Sequence, residues 1–457
     1  MLATTPTPCK IQLVDLSREL SPLTVDDPRY RAVGMFFCLH GVPLGHRYLD
    51  AAELPLSAAQ LWNVAVEAVL PALTEYLMRD LRVPPNEDSG LVQRLAALKP
   101  LEEFEFLVQV RRARSVSASV SVVICTHERA QSLETCLEVM QKFHNPSIEY
   151  IVVDNAPRSD TTRRVVERFP HVHYCVEPRP GLSRARNTGI RSARGEIIVF
   201  TDDDVIVTDN WLAELTRSFD DTRVACTTGL VVPAEMETRE QSWFEHWLTF
   251  NRGYLPLRFD RQWLARFRSV PPVWQIGAGC NMAIRRSAFE TAGYFDTRLG
   301  AGASGCSEDS ELWYRLLAAG HVCEYVPAAM VLHRHRVDAA GLMRQMRMYA
   351  RGHASALIVQ FMRHGGIGHL LRLFFTLPAQ CFRKLASSLV FPERRPFWTA
   401  TIRGHFAGLF YLMRDLRDQS AEGLREPPGL TSIRGEEEKR SREPAGVLSG
   451  AGKHVQE

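Results

Sequence analysis

A doubly wound α/β fold is the class this sequence predicts, and three observations predict it. Short apolar runs alternate with helical spacings from residue 119 to 204, the signature of a parallel sheet covered by helices. The run Ile197, Ile198, Val199, Phe200 is apolar at every position, as a strand buried on both faces must be. Polar clusters follow three of the strands: Thr126-His127-Glu128-Arg129, Asp154-Asn155 and Asp202-Asp203-Asp204. Right-handed crossovers bring those ends to one edge, where such sheets form their ligand crevice.

A chain of 457 residues is long enough for two or three domains. Its 45% hydrophobic and 23% charged residues are those of a globular protein with a sizeable core. Ten cysteines without a CxxC pair or zinc-ligand spacing point to reduced thiols and a cytoplasmic setting. No secretory leader is recognised, and no apolar run reaches the roughly 18 to 20 residues of a membrane span. The net charge of +3 conceals an asymmetry, since residues 334–417 hold fourteen Lys or Arg against three acids. That stretch is strongly basic and the remainder net acidic.

Four units are expected in order. Residues 1–115 form an α+β accessory domain: apolar runs on either side of a Gly-Val-Pro-Leu-Gly turn predict a hairpin. The sequence Ser57-Ala58-Ala59-Gln60 is a capping box opening a helix toward Leu81, with a bend expected at Pro71. His40 and His46 flank the hairpin turn and lack a third ligand, so they are ordinary polar positions. A Pro-Pro-Asn-Glu-Asp-Ser-Gly linker and the basic run Arg111-Arg112-Ala113-Arg114 mark the boundary.

Residues 116–337 form the sheet domain. Strands are expected at Ser119–Cys125, Tyr150–Val153 and Val172–Val176, with Leu133, Cys136, Leu137 and Met140 giving one helix its apolar face. Residues 233–272 are rich in aromatics, Trp243, Phe244, Trp247 and Phe250 among them, which serve core packing or a stacking platform for an acceptor. A strand and a helix from about Ser287 come next, then the glycines of 300–305 as a mobile lid, a helix from Ser307 to Ala319, and a strand ending in Leu-His-Arg-His-Arg. Residues 338–417 are basic helices with apolar faces, suited to an anionic membrane surface or to packing on the sheet domain. Residues 418–457 are expected to be disordered.

The chemistry starts at the acidic triplet. Alternation along an extended backbone sends Asp202 and Asp204 to one side and Asp203 to the other. Two carboxylates at the mouth of a buried strand suit Mg²⁺ or Mn²⁺, although an acidic triplet also serves as a plain polar strand exit. Glu308 and Asp309 open a helix, where the macrodipole favours acids with or without catalysis. Arg184 and Arg186 match phosphate oxygens or a solvated helix face, and Asn281 and Arg285 serve either the site or local packing.

Together, SVVICTHERAQSLETCL, YIVVDNAP, GLSRARNTGIRSARGEIIVFTDDD, GCNMAIRRSAFETAGYFD, SGCSEDSELWYRLLAAG and VPAAMVLHRHR resemble the inverting nucleotide-sugar glycosyltransferases of family 2, over about residues 119–336. The resemblance implies a GT-A fold, a divalent metal (Mn²⁺ or Mg²⁺) and a nucleotide-sugar donor, UDP-linked first, with GDP and dTDP as alternatives. It implies Asp202, Asp204 and His335, with His333 beside it, near the metal and diphosphate. Donor binding falls to Thr126, His127, Glu128, Arg129, Asp154, Arg186, Asp202 and Asp203. Catalysis falls to Asp309 as base, paired with Glu308. Two positions depart from the family pattern: His127-Glu128 replaces Tyr-Asn, and Asp154-Asn155 replaces Asp-Asp.

The implied activity is transfer to a hydroxyl acceptor, a lipid-linked or cell-envelope glycan or a polysaccharide precursor, by a cytoplasmic protein at the inner membrane face. Two rivals stand beside it: a degenerate transferase acting as a membrane scaffold, and a sugar-phosphate nucleotidyltransferase. The latter requires a glycine-rich phosphate loop after the first strand, and Thr126 to Ala130 contains no glycine. A Rossmann dehydrogenase fails on the same ground. No nucleic-acid recognition motif accompanies the basic region.

Overall fold

The computed structural model describes residues 5–81, 118–143, 145, 147–267, 270–390 and 395–418. The predicted linker, the basic run at 111–114 and the 419–457 part of the tail lie outside the described residues.

The amino-terminal unit has a three-stranded sheet, β1 (Cys9–Asp15), β2 (Ala32–Leu39) and β3 (Val42–Asp50), covered by helix α1 (Ala58–Leu81). β2 and β3 are the predicted hairpin, and the capping box forms as read, with Gln60 N donating to Ser57 Oγ at 3.3 Å and Ser57 N to Gln60 Oε1 at 2.9 Å. The helix runs through Pro71. Because β2 is buried throughout, alternation gives its two faces to two cores: Val33, Met35, Phe37 and Leu39 pack under α1, while Phe36 and Cys38 join the core of the large sheet. His46 stacks on Phe36 and hydrogen-bonds Tyr254 at 2.7 Å, the ordinary polar role expected of it.

The large sheet has nine strands. Its parallel half comprises β4 (Val120–Thr126), β5 (Ile148–Asn155), β6 (Val172–Glu177) and β7 (Ile197–Asp202), in the spatial order β6-β5-β4-β7. Helices α2 (Ala130–Gln141), α3 (Thr161–Val166) and α4 (Leu182–Ser192) make the crossovers. Beyond β7 the sheet becomes mixed. The short β8 (Val205–Val207) precedes α5 (Trp211–Arg217), and β9 (Val224–Pro233) leads to α6 (Arg239–Leu248). After β10 (Leu257–Phe259) and α7 (Arg261–Ala265), β11 (Asn281–Arg285) lies antiparallel between β7 and β9. Past α8 (Ala288–Ala292) and α9 (Glu308–Ala318), β12 (Val322–His333) runs parallel to β9 and antiparallel to β8 and β10. The longest registers are parallel, so the doubly wound expectation holds with an antiparallel insertion at β11.

The β8 pairing places His333 opposite Val205, which brings the end of β12 to the acidic triplet. The aromatics of 233–272 resolve largely as core: Phe244 and Phe259 are buried, and Trp243 stacks on Phe397 with centroids 4.0 Å apart.

The carboxyl-terminal helices are α10 (Ala339–His364), α11 (Ile367–Leu371), continued by a wider turn at 372–376 into α12 (Leu377–Val390), and α13 (Arg395–Asp418). Gly404 and Gly408 face the backbone of Arg347 and Arg351, so α13 lies close on α10; any side chain there would collide with those carbonyls. α10 meets the sheet domain where Gly352 faces the Cys306 backbone and α13 where Phe397 stacks on Trp243, and the helices also leave an apolar surface open. Phe374, Phe375, Phe382, Leu389, Phe406 and Phe410 are all more than half exposed. No described helix is long and apolar enough to cross a membrane.

Candidate active site

The carboxyl ends of β4, β5 and β7 open into a cavity of about 1330 Å³ that extends beneath the carboxyl-terminal helices. Thr126, His127, Arg129, Asn155, Arg186, Asp202, Asp203, Asp204, Glu308, Asp309, His333 and His335 all reach its wall.

Carboxylates crowd its deepest part, and each has a specific partner. Asp203, in the turn just past β7, is buried and accepts from Thr126 Oγ1 at 2.7 Å and from Arg129 at 3.1 Å, the same guanidinium that holds Asp204, so the expected split of Asp203 from Asp204 does not hold. Burial, with Asp204 alongside, pushes the Asp203 carboxyl up to about 6. Asp204 accepts from Arg129 at 2.9 Å, and its buried Oδ1 faces His333 Nε2 at 3.3 Å. Burial disfavours the His333 imidazolium, but the charges of Asp204 and Asp202 outweigh it and raise its pKa.

Arg186 ties the triplet to the Glu308-Asp309 pair. Its guanidinium is only 2% exposed, which rules out a solvated helix face. It donates to Glu308 Oε1 at 2.7 Å and to Gly279 O at 3.1 Å, and stands 3.5 Å from Asp202 Oδ1. Burial and the adjacent Asp309 push the Glu308 carboxyl up to about 7, against the pull of Arg186. Asp309 is the more accessible of the two. Its Oδ2 accepts from Gly279 N at 2.9 Å and its Oδ1 from Ser310 N at 2.6 Å. Gly279 is needed there, because a Cβ would stand 2.9 Å from Asp309 Oδ2 and 3.1 Å from Arg186. Ser307, at φ 71°, holds the left-handed backbone that turns the chain into α9 and aims both acids at the cavity.

Asp202, Cys280 and His333 offer ligand atoms within 4.8 Å of one another. A divalent cation fits this cluster: Asp202 supplies a hard oxygen and His333 an imidazole nitrogen, with Asp204 Oδ1 buried 3.3 Å from that nitrogen. The Cys280 thiol is pushed well above its usual range by burial, with Asp202 and Asp204 adding to the shift, so it enters as a neutral neighbour.

Several expected residues are placed differently from the sequence reading. His335 lies two residues past the end of β12, 3.3 Å from Glu245 and against Phe244; His333, still in the strand, is the histidine at the triplet. Asp154 is fully buried and accepts from Tyr174 at 2.8 Å, leaving Asn155 to line the cavity. Glu128 accepts from Arg158 N at 2.8 Å and is absent from the cavity wall. Asn281 bonds Trp211, Leu230 and Ala329, and Arg285 bonds the carbonyls of Phe219 and Val224, so both serve packing. The glycine loop is anchored by Ser183 donating to Leu299 O at 2.7 Å and by Leu182 N donating to Ala301 O at 2.8 Å, with Ser304 fully buried. Its tip, at Ala301 and Gly302, is exposed.

The residues that sequence reasoning missed come from scattered elements. Cys280 follows the Gly-Ala-Gly approach to β11, a glycine signal for close backbone packing. Trp274, Tyr349, His353, Arg372, Lys384, Trp398 and His405 complete the far wall and carry no motif.

Comparison with known proteins adds the family. Residues 121–293 match the model of Glycosyl transferase family 2. The succinoglycan biosynthesis protein ExoM of Rhizobium meliloti (strain 1021) is 25% identical over 260 residues, 54% of this chain and 77% of that protein. Polypeptide N-acetylgalactosaminyltransferase 5 of Caenorhabditis elegans is 28% identical over 236 residues, 47% of this chain and 37% of that protein. An N-acetylglucosaminyltransferase of Rhizobium sp. (strain N33) is 24% identical over 247 residues, 51% of this chain and 52% of its own length. The chain thus spans about half or less of the last two relatives. A mannosyltransferase structure from Pyrobaculum calidifontis, in complex with GDP-Man and Mn²⁺, superposes with a TM-score of 0.42 at 17% identity, covering 75% of this chain and 88% of that one.

Proposed function

Because the chain belongs, through residues 121–293, to Glycosyl transferase family 2, we propose that it is an inverting, metal-assisted sugar transferase of the GT-A type, using a nucleotide-sugar donor. The observation that carries this reading is Arg186, which joins the Asp202 side of the cavity to the Glu308-Asp309 side within one buried network.

In this reading Asp202 and His333 hold a divalent cation, Mn²⁺ or Mg²⁺. When bound, it neutralises charge on the departing diphosphate as a Lewis acid. Thr126, His127, Arg129 and Asn155 line the nucleotide end. Arg129 and Thr126 fix Asp203 and Asp204, so the triplet is already ordered when donor arrives. Asp309, held by two backbone N–H groups, accepts the proton of an acceptor hydroxyl. The hydroxyl oxygen bonds the anomeric carbon as the bond to the diphosphate oxygen breaks, and the electron pair leaves on the nucleoside diphosphate. Attack opposite the leaving group inverts the anomeric configuration. Glu308 is committed to Arg186 and acts as a positioning residue.

The acceptor is proposed to be a membrane-associated glycan. The exposed phenylalanines of 374–410 and the basic balance of residues 334–417 together suit peripheral contact with an anionic bilayer at its inner face. The donor is tested by calorimetric titration with UDP, GDP and dTDP, each with Mn²⁺ and with EDTA. Metal-dependent binding of one nucleotide is the expected result. Folded protein that binds none of them would leave the degenerate scaffold.

A further inference from the structure

The cavity does not end at Asp309. It continues between α10, α12 and α13 to a second chamber, whose wall includes Trp274, His353, Arg372, Lys384, Trp398 and His405. Both groups of residues line one continuous cavity, in which Trp274, five residues before the Gly279 that holds Asp309, packs edge-on against His353 at 5.5 Å.

The charge of this chamber is one-sided. Arg372 lies over the Trp274 ring at 4.8 Å with its Nε 3.3 Å from His353 Nε2, and Lys384 lies over Trp398 at 4.6 Å. Among the described residues neither cation has a carboxylate partner, and burial lowers the pKa of both. Trp398 Nε1 is a buried donor without an acceptor. His353 is driven down to about 3 by burial first and then by Arg372 and His405, and His405 to about 4 by burial first and then by Lys384 and Arg372, so both remain neutral. Every charged group here is cationic, and an unmatched buried donor stands beside them. Such a pocket lacks an anion.

The helix that supplies Lys384 is amphipathic in the inverted sense. Gln380, Lys384 and Ser388, one turn apart, face inward, while Phe382, Leu385 and Leu389 face outward and are 74%, 44% and 86% exposed. The same short segment therefore offers cations to the cavity and an apolar surface to the outside. A ligand that is anionic at one point and apolar next to it satisfies both.

We propose that Arg372, Lys384 and Trp398 form a subsite for the phosphate or diphosphate that joins the acceptor's saccharide to a lipid. The lipid lies against the outward face of α11 and α12, and the saccharide hydroxyl reaches Asp309 through the shared cavity. This assignment rests on the transferase reading above and names its acceptor class.

The test is flotation of the full chain with phosphatidylcholine vesicles, plain, doped with a polyprenyl diphosphate, or doped with phosphatidylglycerol to the same surface charge. Soluble pyrophosphate is added as competitor in a parallel series. Nucleoside diphosphate binding is measured on the same preparations, so that failure of the donor reading is seen separately. Wild type is expected to prefer the polyprenyl diphosphate vesicles at least roughly tenfold over the charge-matched ones, as loss of charge-assisted contacts implies. Arg372→Gln with Lys384→Gln removes that preference and leaves nucleotide binding intact, whereas Arg372→Lys retains most of it. Equal binding to both charged vesicles, or a preference that survives the double substitution, would overturn the subsite. Binding of soluble pyrophosphate through Arg372 and Lys384 without any vesicle preference would assign the cluster to a free diphosphate and overturn the lipid-linked acceptor.

Discussion

The two ends of the cavity handle charge in opposite ways. At the donor end the acidic residues already hold cations: Arg129 holds Asp203 and Asp204, Arg186 holds Glu308 beside Asp202, and His333 faces Asp204, while Arg252, Arg334 and Arg336 line the same wall without an ion pair among the described residues. At the far end Arg372 and Lys384 rest on indole rings with no carboxylate among the described residues. A matched network fixes geometry before a ligand arrives, whereas an unmatched one holds its electrostatic free energy for the ligand. The difference teaches how one cavity serves two substrates: the donor end is built to orient, and the far end to attract.

The contrast can be broken in order of expected effect. Asp309→Asn should lower the transfer rate by roughly 10² to 10⁴-fold, the range of a lost general base, with nucleotide affinity changed by no more than a few-fold. Near-normal turnover in that variant removes Asp309 from the mechanism. Arg186→Met strands Glu308 and Asp202 in a buried network and should cost about 3–5 kcal/mol in urea unfolding. A loss under about 1 kcal/mol would mean that the network is not matched as described.

Arg363→Ala should have a smaller effect. Arg363 reaches from α10 to Asp296, which is also clamped by Arg298, at 2.9 Å and 2.6 Å. Burial raises the Asp296 carboxyl, but Arg298 and Arg363 hold it well below the usual range. Its ion pairs thus stabilise the fold above the ordinary Asp pKa near about 4, and that contribution is lost as pH falls below it. The substitution should cost about 1 kcal/mol near neutrality, with Arg363 partly exposed and screened, and the gap from wild type should close in acid. A gap that widens below about pH 4 contradicts the assignment. Smallest of all, Arg372→Met strands no carboxylate and should move stability by less than about 0.5 kcal/mol, against the large loss at Arg186. A cost comparable to Arg186→Met would show that Arg372 has a structural partner after all.

The donor end was legible in the sequence because its residues cluster at strand ends, which crossover topology brings to one edge. The side each acid takes was not legible: β7 ends at Asp202, and the turn beyond it brings Asp203 and Asp204 together on Arg129 while Asp202 faces Arg186, where alternation alone groups Asp202 with Asp204. The choice between His333 and His335 was not legible, since both share parity; what separates them is that β12 ends at His333, a register fixed by pairing with Val205. Arg186 was visible as a phosphate candidate, but its burial depends on Glu308 at the start of α9 and Gly279 before β11, which are distant in sequence. Cys9–Asp15 and Val224–Pro233 escape the strand pattern, one mixed in character, the other interrupted by Gly229. The far chamber had no signature at all. Trp274, His353, Arg372, Lys384, Trp398 and His405 come from five separate segments, and only packing of α10 and α13 through Gly404 and Gly408 brings them together.

The division of labour within the cavity is tested most directly by one calorimetric titration of nucleoside diphosphate with Mn²⁺ into three proteins: wild type, Asp202→Asn, and Arg372→Gln with Lys384→Gln. The account predicts that affinity falls at least about tenfold in Asp202→Asn and is unchanged in the double variant. Full affinity in Asp202→Asn, or an equal loss in both variants, would contradict it.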